Sequence, residues 1–575
     1  MKRLTLYLKP YWAAVLLAPL LMLVEVVCDL LQPTLMSRIV NIGVGSRDAG
    51  YIIKTGTLML GIALLGMAGG IGCTIFAVIA SQNFGTDLRA DLFQKIQSFS
   101  FANLDKLKTE SLITRLTNDV MQVQHVVLMM LRILVRAPLL FVGGIVMAVA
   151  INPVLACISL AVIPVMIGIL AFVITKSFPL FAAVQEKLDR VNRVMRENLT
   201  GVRVVKAFVR SDYEISRFGK ANDELMEITV KASRFVGMTM PIIMLLMNTG
   251  VVAVTWLGGY RVNSGNIQVG HVIALINYIM QILFALMMST MMLMSATRAK
   301  ASADRIIEVL DMELDIGNDS EACRNVVKAG RVEFKHVSFR YEGTSGADVL
   351  QDVSFTANPG ETIAILGATG AGKSTLINLI PRFYDATEGR ILIDGVDVRD
   401  MEPQYLRSII SVVLQESILF SGTIRDNIRW GRKDATEEEV VEAAKAAQAH
   451  DFIMGFPHGY DTVLGQRGVN LSGGQKQRLS IARALLKKPL ILIMDDSTSA
   501  VDLETESRIQ ASLKELMKNT TCFIIAQRIN SVVEADKIIV LENGRVADIG
   551  SHGDLMRSSR VYQEIYRSQT GEEAV

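Results

Sequence analysis

Nine consecutive residues, Gly367-Ala368-Thr369-Gly370-Ala371-Gly372-Lys373-Ser374-Thr375, have the types and spacing to hold a chain of phosphates. They fit G-x-x-x-x-G-K-[ST], in which glycines let backbone N–H groups curl round phosphate oxygens. In that pattern Lys373 reaches the β- and γ-phosphates and the Ser374 hydroxyl binds Mg²⁺. The motif needs a strand before it and a helix after it. The apolar run Thr362–Leu366 supplies the strand, and the following helix adds the positive end of its dipole. A second apolar run, Leu490–Met494, ends in Asp495-Asp496. An acidic residue at the carboxyl end of a neighbouring strand is where such proteins hold Mg²⁺, here Asp495. Between the two lies Leu471-Ser472-Gly473-Gly474-Gln475, whose Ser-Gly-Gly at a predicted helix start forms another anion-binding turn. Together these residues predict ATP and Mg²⁺ as cofactors.

The elements that must position them divide the chain sharply. Of 575 residues 50% are hydrophobic and only 20% charged, with a mean hydropathy of +0.35. That excludes disorder, collagen and a small disulfide scaffold. Lys+Arg 59 against Asp+Glu 57 leaves a formal charge of +2, with no bulk nucleic-acid signature. The cysteines (28, 73, 157, 323 and 522) show no C-x-x-C metal spacing and read as small core hydrophobes. A membrane helix needs ~20 mostly apolar residues. Six stretches meet that need, all before residue 300: Ala13–Met36, Thr57–Ala80, Val126–Ala150, Leu155–Ile174, Val236–Gly258 and Val269–Ser295.

Basic residues crowd the connection between spans two and three (Arg89 to Arg115) and that between spans four and five (Lys187 to Lys220). By the positive-inside rule both connections and both termini are cytoplasmic. Their mixed apolar and charged spacing predicts helices that extend the membrane spans. Leu4–Pro10, with Lys9 and then Tyr11-Trp12, reads as an interfacial lead-in. After the last span the pattern turns to short strands: Val332–Phe339, then Thr362–Leu366, Ile410–Leu414, Leu490–Met494, Cys522–Ile525 and Ile538–Leu541. Such runs between helical stretches predict a parallel sheet buried on both faces. The expected fold is thus an all-α six-helix transmembrane domain (1–313), a linker (314–330) and an α/β P-loop nucleotide-binding domain (331–575).

LSGGQ placed between a P-loop and an apolar strand ending in Asp resembles the signature of ATP-binding-cassette proteins. Six spans ahead of one cassette look like a half-transporter of the bacterial multidrug exporter type, and the resemblance covers residues 1–570. It implies several further roles. Tyr341 stands where the family stacks an aromatic ring on adenine, and Gln415 matches the glutamine that senses Mg²⁺. Asp502 matches a loop that crosses the dimer interface. Thr109–Asn118 and Val209–Phe218 match turns that dock on the cassettes. The family acts as head-to-tail dimers in the bacterial plasma membrane, each ATP lying between one P-loop and the other subunit's LSGGQ.

Three positions depart from the family's pattern. Asp496 replaces the glutamate that polarises the attacking water, Gln527 the switch histidine, and Gln466 a glutamate ahead of the signature. One methylene fewer withdraws the Asp496 carboxylate by ~1.5 Å, and a misplacement of ~1 Å can cost ~10²-fold. An amide at 527 cannot share a proton as imidazole can. A homodimer would then have two weak sites, so the expected partner is a second half-transporter subunit that supplies the missing Glu and His. The expected activity is ATP-driven export of amphiphilic small molecules; lipid or peptide export, and a membrane-embedded sensor, are the alternatives. No protease-like segment precedes the first span, which weakens peptide processing.

The membrane half says less. Spans five and six carry Met238, Met240, Met244, Met247, Met280, Met287, Met288, Met291, Met292 and Met294, suited either to a surface that repacks around apolar ligands or to plain packing. Glu25 and Asp29, and Arg132 and Arg136, are i, i+4 pairs in spans one and three. They either pair with each other or line a path for a cationic substrate.

Overall fold

The computed structural model describes residues 3–316, 327–341, 346, 348–496, 503–516, 518–526 and 528–570. Asp502, Gln527 and most of the expected linker lie outside the described residues, as do the side chains of Met291 and Met294. The chain forms two compact units. One holds Met1–Gln97 and Glu110–Asp311, the other Ser98–Thr109 and Met312–Val575.

In the first unit every apolar stretch becomes helix. The helices are Trp12–Arg38, Ala49–Gln97, Val120–Ile151, Pro153–Thr200, Thr239–Asn263 and Val269–Asp311. The 49 residues of the second run ~73 Å at 1.5 Å per residue, far beyond the ~30 Å of a bilayer core. The predicted extensions are therefore continuous with the spans. Before the fifth span, Ser211–Gly237 is a helix of its own, joined through Met238. The connection after the third is one residue, Asn152, whose side chain accepts the Val154 and Leu155 N–H groups at 3.1 Å. The following Pro153 has no N–H to satisfy. Glycines bring spans one and two together: a Cβ on Gly69 would lie 3.0 Å from the Leu21 carbonyl oxygen. Leu60, Val146 and Leu245 stand outward, as lipid contact requires, and Met238, Met240 and Met244 are outward too, whereas Met292 is buried. The lead-in is a 3₁₀ turn, Leu4–Tyr11, anchored by Tyr7 and Tyr11 donating to Asp91 and Asp87 at 2.8 and 2.9 Å.

The second unit contains twelve strands among the described residues: β1 (Val332–Phe339), β2 (Leu350–Ala357), β3 (Thr362–Leu366), β4 (Glu388–Ile393), β5 (Val396–Asp397), β6 (Ile410–Val413), β7 (Gly422–Thr423), β8 (Val463–Leu464), β9 (Ile491–Asp495), β10 (Thr521–Ile525), β11 (Lys537–Glu542) and β12 (Arg545–Gly550). The larger sheet has the order β12-β11-β3-β10-β9-β6, parallel from β11 to β6 with β12 antiparallel at one edge. A second, antiparallel sheet, β2-β1-β4-β5, was not legible as such. Its strands alternate with polar residues, and a bulge between Phe334 and Val337 breaks the period of two. Phe334 stacks on Phe355 at 4.5 Å, and the ring of Phe355 meets that of Phe523 from β10 at 6.5 Å, so one core joins the two sheets. A second core of mainly alanine, leucine and isoleucine surrounds the helix Gly473–Leu486.

Candidate functional site

β3 ends at Leu366, and the chain enters a loop that only glycine can follow. Gly367, Gly370 and Gly372 have φ of +156°, +85° and +96°. A Cβ on Gly367 would run into the Leu541 carbonyl oxygen, and one on Gly372 would lie 2.9 Å from Leu350 Cδ2. The loop spans Gly367, Ala368, Thr369, Gly370 and Ala371 and delivers the chain to the helix Lys373–Leu379, with Gly372 at its N-cap. Lys373 Nζ donates to the carbonyls of Gly367 (2.7 Å) and Ala368 (2.9 Å), which holds the ammonium over the loop. Burial pushes its pKa down, while Asp495 and Asp496 oppose that. A loop kept open by the absence of side chains, with a cation over it and a helix N-terminus behind it, fits a polyphosphate.

The acidic residues come from the end of β9, one strand removed from β3. In the larger sheet β10 lies between β3 and β9, and β9 carries Asp495 at its carboxyl end. Ser374 Oγ donates to Asp495 Oδ1 at 3.2 Å, so the hydroxyl and carboxylate expected to share a metal already face each other. Burial raises the Asp495 pKa against the opposing effects of Ser374 and Lys373. Asp496 sits in the left-handed region (φ +44°), its N–H held by the Ile525 carbonyl at 2.9 Å. Gln415, just past β6, donates from Nε2 to Asp496 Oδ2 at 3.4 Å. Burial, then the neighbouring Asp495 charge, raises the Asp496 pKa; Gln415, Arg528 and Lys373 pull it down. The structure thus brings Lys373, Ser374, Gln415, Asp495 and Asp496 together. Arg528, among the charges acting on Asp496, carried no motif by which it could have been found.

Tyr341 follows β1. Its hydroxyl lies 3.1 Å from Thr375 Oγ1, and its ring meets Phe339 and Tyr384 edge-on at 4.8 and 5.2 Å. This ties the aromatic platform to the helix that begins at Lys373. Tyr384 donates to Asp105 Oδ2 at 2.8 Å, and burial, then that carboxylate, pushes its phenol pKa up. Asp105 belongs to the short helix Phe101–Leu107, capped by Ser100 and Asn103 and packed through Phe101 on Phe383 at 4.6 Å. The expectation for the first docking turn is therefore corrected. The segment that joins the cassette unit is Ser98–Thr109, whereas Glu110 onward belongs to the membrane unit. Phe101 and the Ser100 cap fix the turn there, and Lys108, at φ +53°, ends it. In the second long connection the turn exposes Phe208, Val209 and Tyr213.

The signature residues form a separate turn. Leu471 is buried as an anchor, and Ser472 caps the helix Gly473–Leu486. Ser472 N–H donates to Gln475 Oε1 at 2.9 Å and Gln475 N–H to Ser472 Oγ at 3.3 Å, a reciprocal capping box. Ser472 and Gly473 are exposed, as is Gln466 in the short turn before them.

Comparison with known proteins agrees with this geometry. The family model of the ABC transporter transmembrane region matches residues 15–286, and the ABC transporter model matches residues 350–499. An uncharacterized ABC transporter ATP-binding protein of Bacillus subtilis, YfiB, is 48% identical over 567 residues, 99% of this chain and 98% of its own. YgaD of the same organism, named for multidrug export, is 38% identical over 483 residues, 84% of this chain and 83% of its own. A solved bacterial Atm1-family ABC exporter with ATP bound has a TM-score of 0.81 at 27% identity, covering 98% of this chain and 99% of that one. Carrying one multi-pass transmembrane region and one ATP-binding region in a single polypeptide, the chain belongs to the ABC transporter family and is a half-transporter with the exporter fold.

Proposed function

We propose that this chain is the weak-site half of a heterodimeric exporter that moves amphiphilic small molecules out across the bacterial plasma membrane, with both termini cytoplasmic. The observation that carries the reading is Asp496. It stands at the end of β9 where a longer glutamate polarises water, yet the same chain keeps every residue of Leu471–Gln475. ATP binds at the P-loop through Gly367–Thr375, with Lys373 on the phosphates and Tyr341 against adenine. Mg²⁺, held by Ser374, Asp495 and Gln415, neutralises phosphate charge when bound. Asp496 and Gln527 are too short and too neutral, respectively, to activate water quickly, so this site clamps more than it cleaves. Ser472 and its neighbours serve the partner's nucleotide, the resemblance gives Asp502 a role at the same interface, and the turn Val209–Phe218 docks on the cassettes. The multidrug name of YgaD supports small molecules as cargo, and the Arg and Lys placement supports the orientation. The domain limits proposed are 1–313, 314–330 and 331–575, with Ser98–Thr109 reaching across to the cassette.

The test is nucleotide trapping in the purified dimer with radiolabelled azido-ATP, each subunit separated before its nucleotide is identified. Intact ATP should be recovered on this chain and ADP on its partner. ADP at both sites at equal rates would sink the proposal. Substrate-dependent transport into vesicles separates an exporter from a sensor.

A further inference from the structure

The ionisable groups within the spans do not pair evenly. Arg136 of the third span is shared, donating to Glu25 Oε1 and, at 2.9 Å, to Asp29 Oδ2 of the first. Arg132, one turn earlier, has no hydrogen bond or ion pair among the described residues, and its Nε is buried. It lines a cavity of about 590 Å³ with Glu25, Asp29, Met67 and Ile71. Cavities of that size take a drug-sized ligand. Gly70 keeps the space clear, since a Cβ there would come within 2.8 Å of Glu25 Oε2.

The four charges sum to zero, but their pairing decides the sign of a ligand. Both carboxylates are already held by Arg136. Arg136 takes one oxygen of each, so a cationic ligand would compete with it for the same two carboxylates and would also meet the charge of Arg132. An anionic group meets an unused guanidinium fork, which suits phosphate and carboxylate oxygens. An unpaired charge at membrane depth is costly and marks a ligand path more often than a structural accident. The second span adds Met67 and Ile71, a wall for a hydrocarbon tail. We propose that this cavity binds an amphiphile by its phosphate or carboxylate headgroup at Arg132. The inference rests on the export reading and names its substrate class; of the two uses open to these four residues, it replaces a cationic path with an anionic one.

The experiment is equilibrium binding of radiolabelled oleoyl lysophosphatidate to the full-length protein, purified in non-ionic detergent as the dimer it forms, without ATP. Arg132→Gln should weaken binding by about 10-fold and Arg132→Lys by less, because a charge-assisted bidentate contact is lost or only simplified. Oleylamine, with a similar tail and the opposite charge, should compete at least about 10-fold more weakly. Inorganic phosphate should not displace the ligand. Unchanged binding by Arg132→Gln, equal competition by oleylamine, or displacement by phosphate alone would each overturn the proposal. ATP binding by each variant reports folding. If Arg132→Gln fails that control, Met67→Trp fills the same cavity from the apolar side and must also weaken binding. Amphiphile-stimulated ATPase activity without Arg132-dependent binding would leave export standing and remove only this inference. Arg132-dependent binding with no transport would do the reverse.

Discussion

The two anion-binding turns of the cassette differ in what surrounds them. The P-loop is enclosed: its glycines press against Leu541 and Leu350, and Lys373, Asp495, Asp496 and Gln415 of its own chain converge on it. The turn at Ser472 is anchored by Leu471 and closed on Gln475, but presents Ser472 and Gly473 to solvent. One turn has its acids and cation in place; the other offers a hydroxyl and helix N–H groups to something from outside. Such a division fits the proposal that each nucleotide is completed by two chains. On the heterodimer proposal, the departures at Asp496 and Gln527 weaken one site while the other receives an intact contribution.

The largest expected effect therefore belongs to the exposed turn. Ser472→Ala should lower ATPase activity of the assembled dimer by about 100-fold, the scale of losing one preorganised donor at a developing charge. It also removes a helix cap, costing ~1 kcal/mol. Ser472→Asn keeps a capping oxygen and serves as the control: stability should return and activity should not. Next comes Asp496→Asn, with a loss of only ~2- to 5-fold, because residues acting as a unit are not additive with a defect already present. Asp496→Glu should not restore full catalysis while Gln527 remains. Steady-state ATPase rates of these variants decide the comparison. A larger loss from Asp496→Asn than from Ser472→Ala would make this chain's own P-loop the working site and end the heterodimer reading.

A smaller effect is expected where Tyr384 meets Asp105. Tyr384→Phe keeps the ring against Tyr341 and Phe101 but deletes the bond to the docking helix. ATP binding should be unchanged, while substrate stimulation of ATPase falls by about 5-fold, the low end of measured couplings between sites. Asp105→Ala should do the same, and the double variant should be no worse, since both break one contact. Additive losses would show that the two residues act separately.

Much of this was readable because it is local. The P-loop glycines, the apolar runs that became β3, β9 and β10, and the six spans each carry their signal within a few residues. What was not readable depends on partners far along the chain. β2, β4 and β5 are recognisable only through the sheet they complete around β1. The resemblance puts the docking turn at Thr109–Asn118, the turning point of the long connection. The contact that fixes it, Phe101 on Phe383, joins residues hundreds of positions apart. Likewise the i, i+4 spacing marked Arg132 and Arg136 equally, and only packing against the first span shows that one is paired and the other is not.

The smallest effect concerns stability alone and tests whether the cassette's entry is fixed independently of its chemistry. Asp394, at the turn between β4 and β5 with φ +49°, accepts N–H groups from Lys328, Ala329, Gly330 and Arg331 at 2.8, 2.8, 3.2 and 2.8 Å. Burial alone would raise its pKa, but these four donors outweigh that and hold it below the usual carboxylate value. A pKa lowered by folding gives stability that is present above the unfolded value of ~3.9 and lost as pH falls through the folded one. Asp394→Asn leaves one oxygen to serve four donors and should cost ~2 kcal/mol. For a domain of this size that is a drop in Tm of about 5 °C, read from thermal unfolding of the purified protein. The gap between wild type and variant should stay constant from pH 7 to pH 5 and narrow only below about pH 4. ATP affinity at the P-loop should be unchanged at 25 °C. A gap that closes already near pH 6 would mean that a histidine, not this carboxylate, governs the acid response.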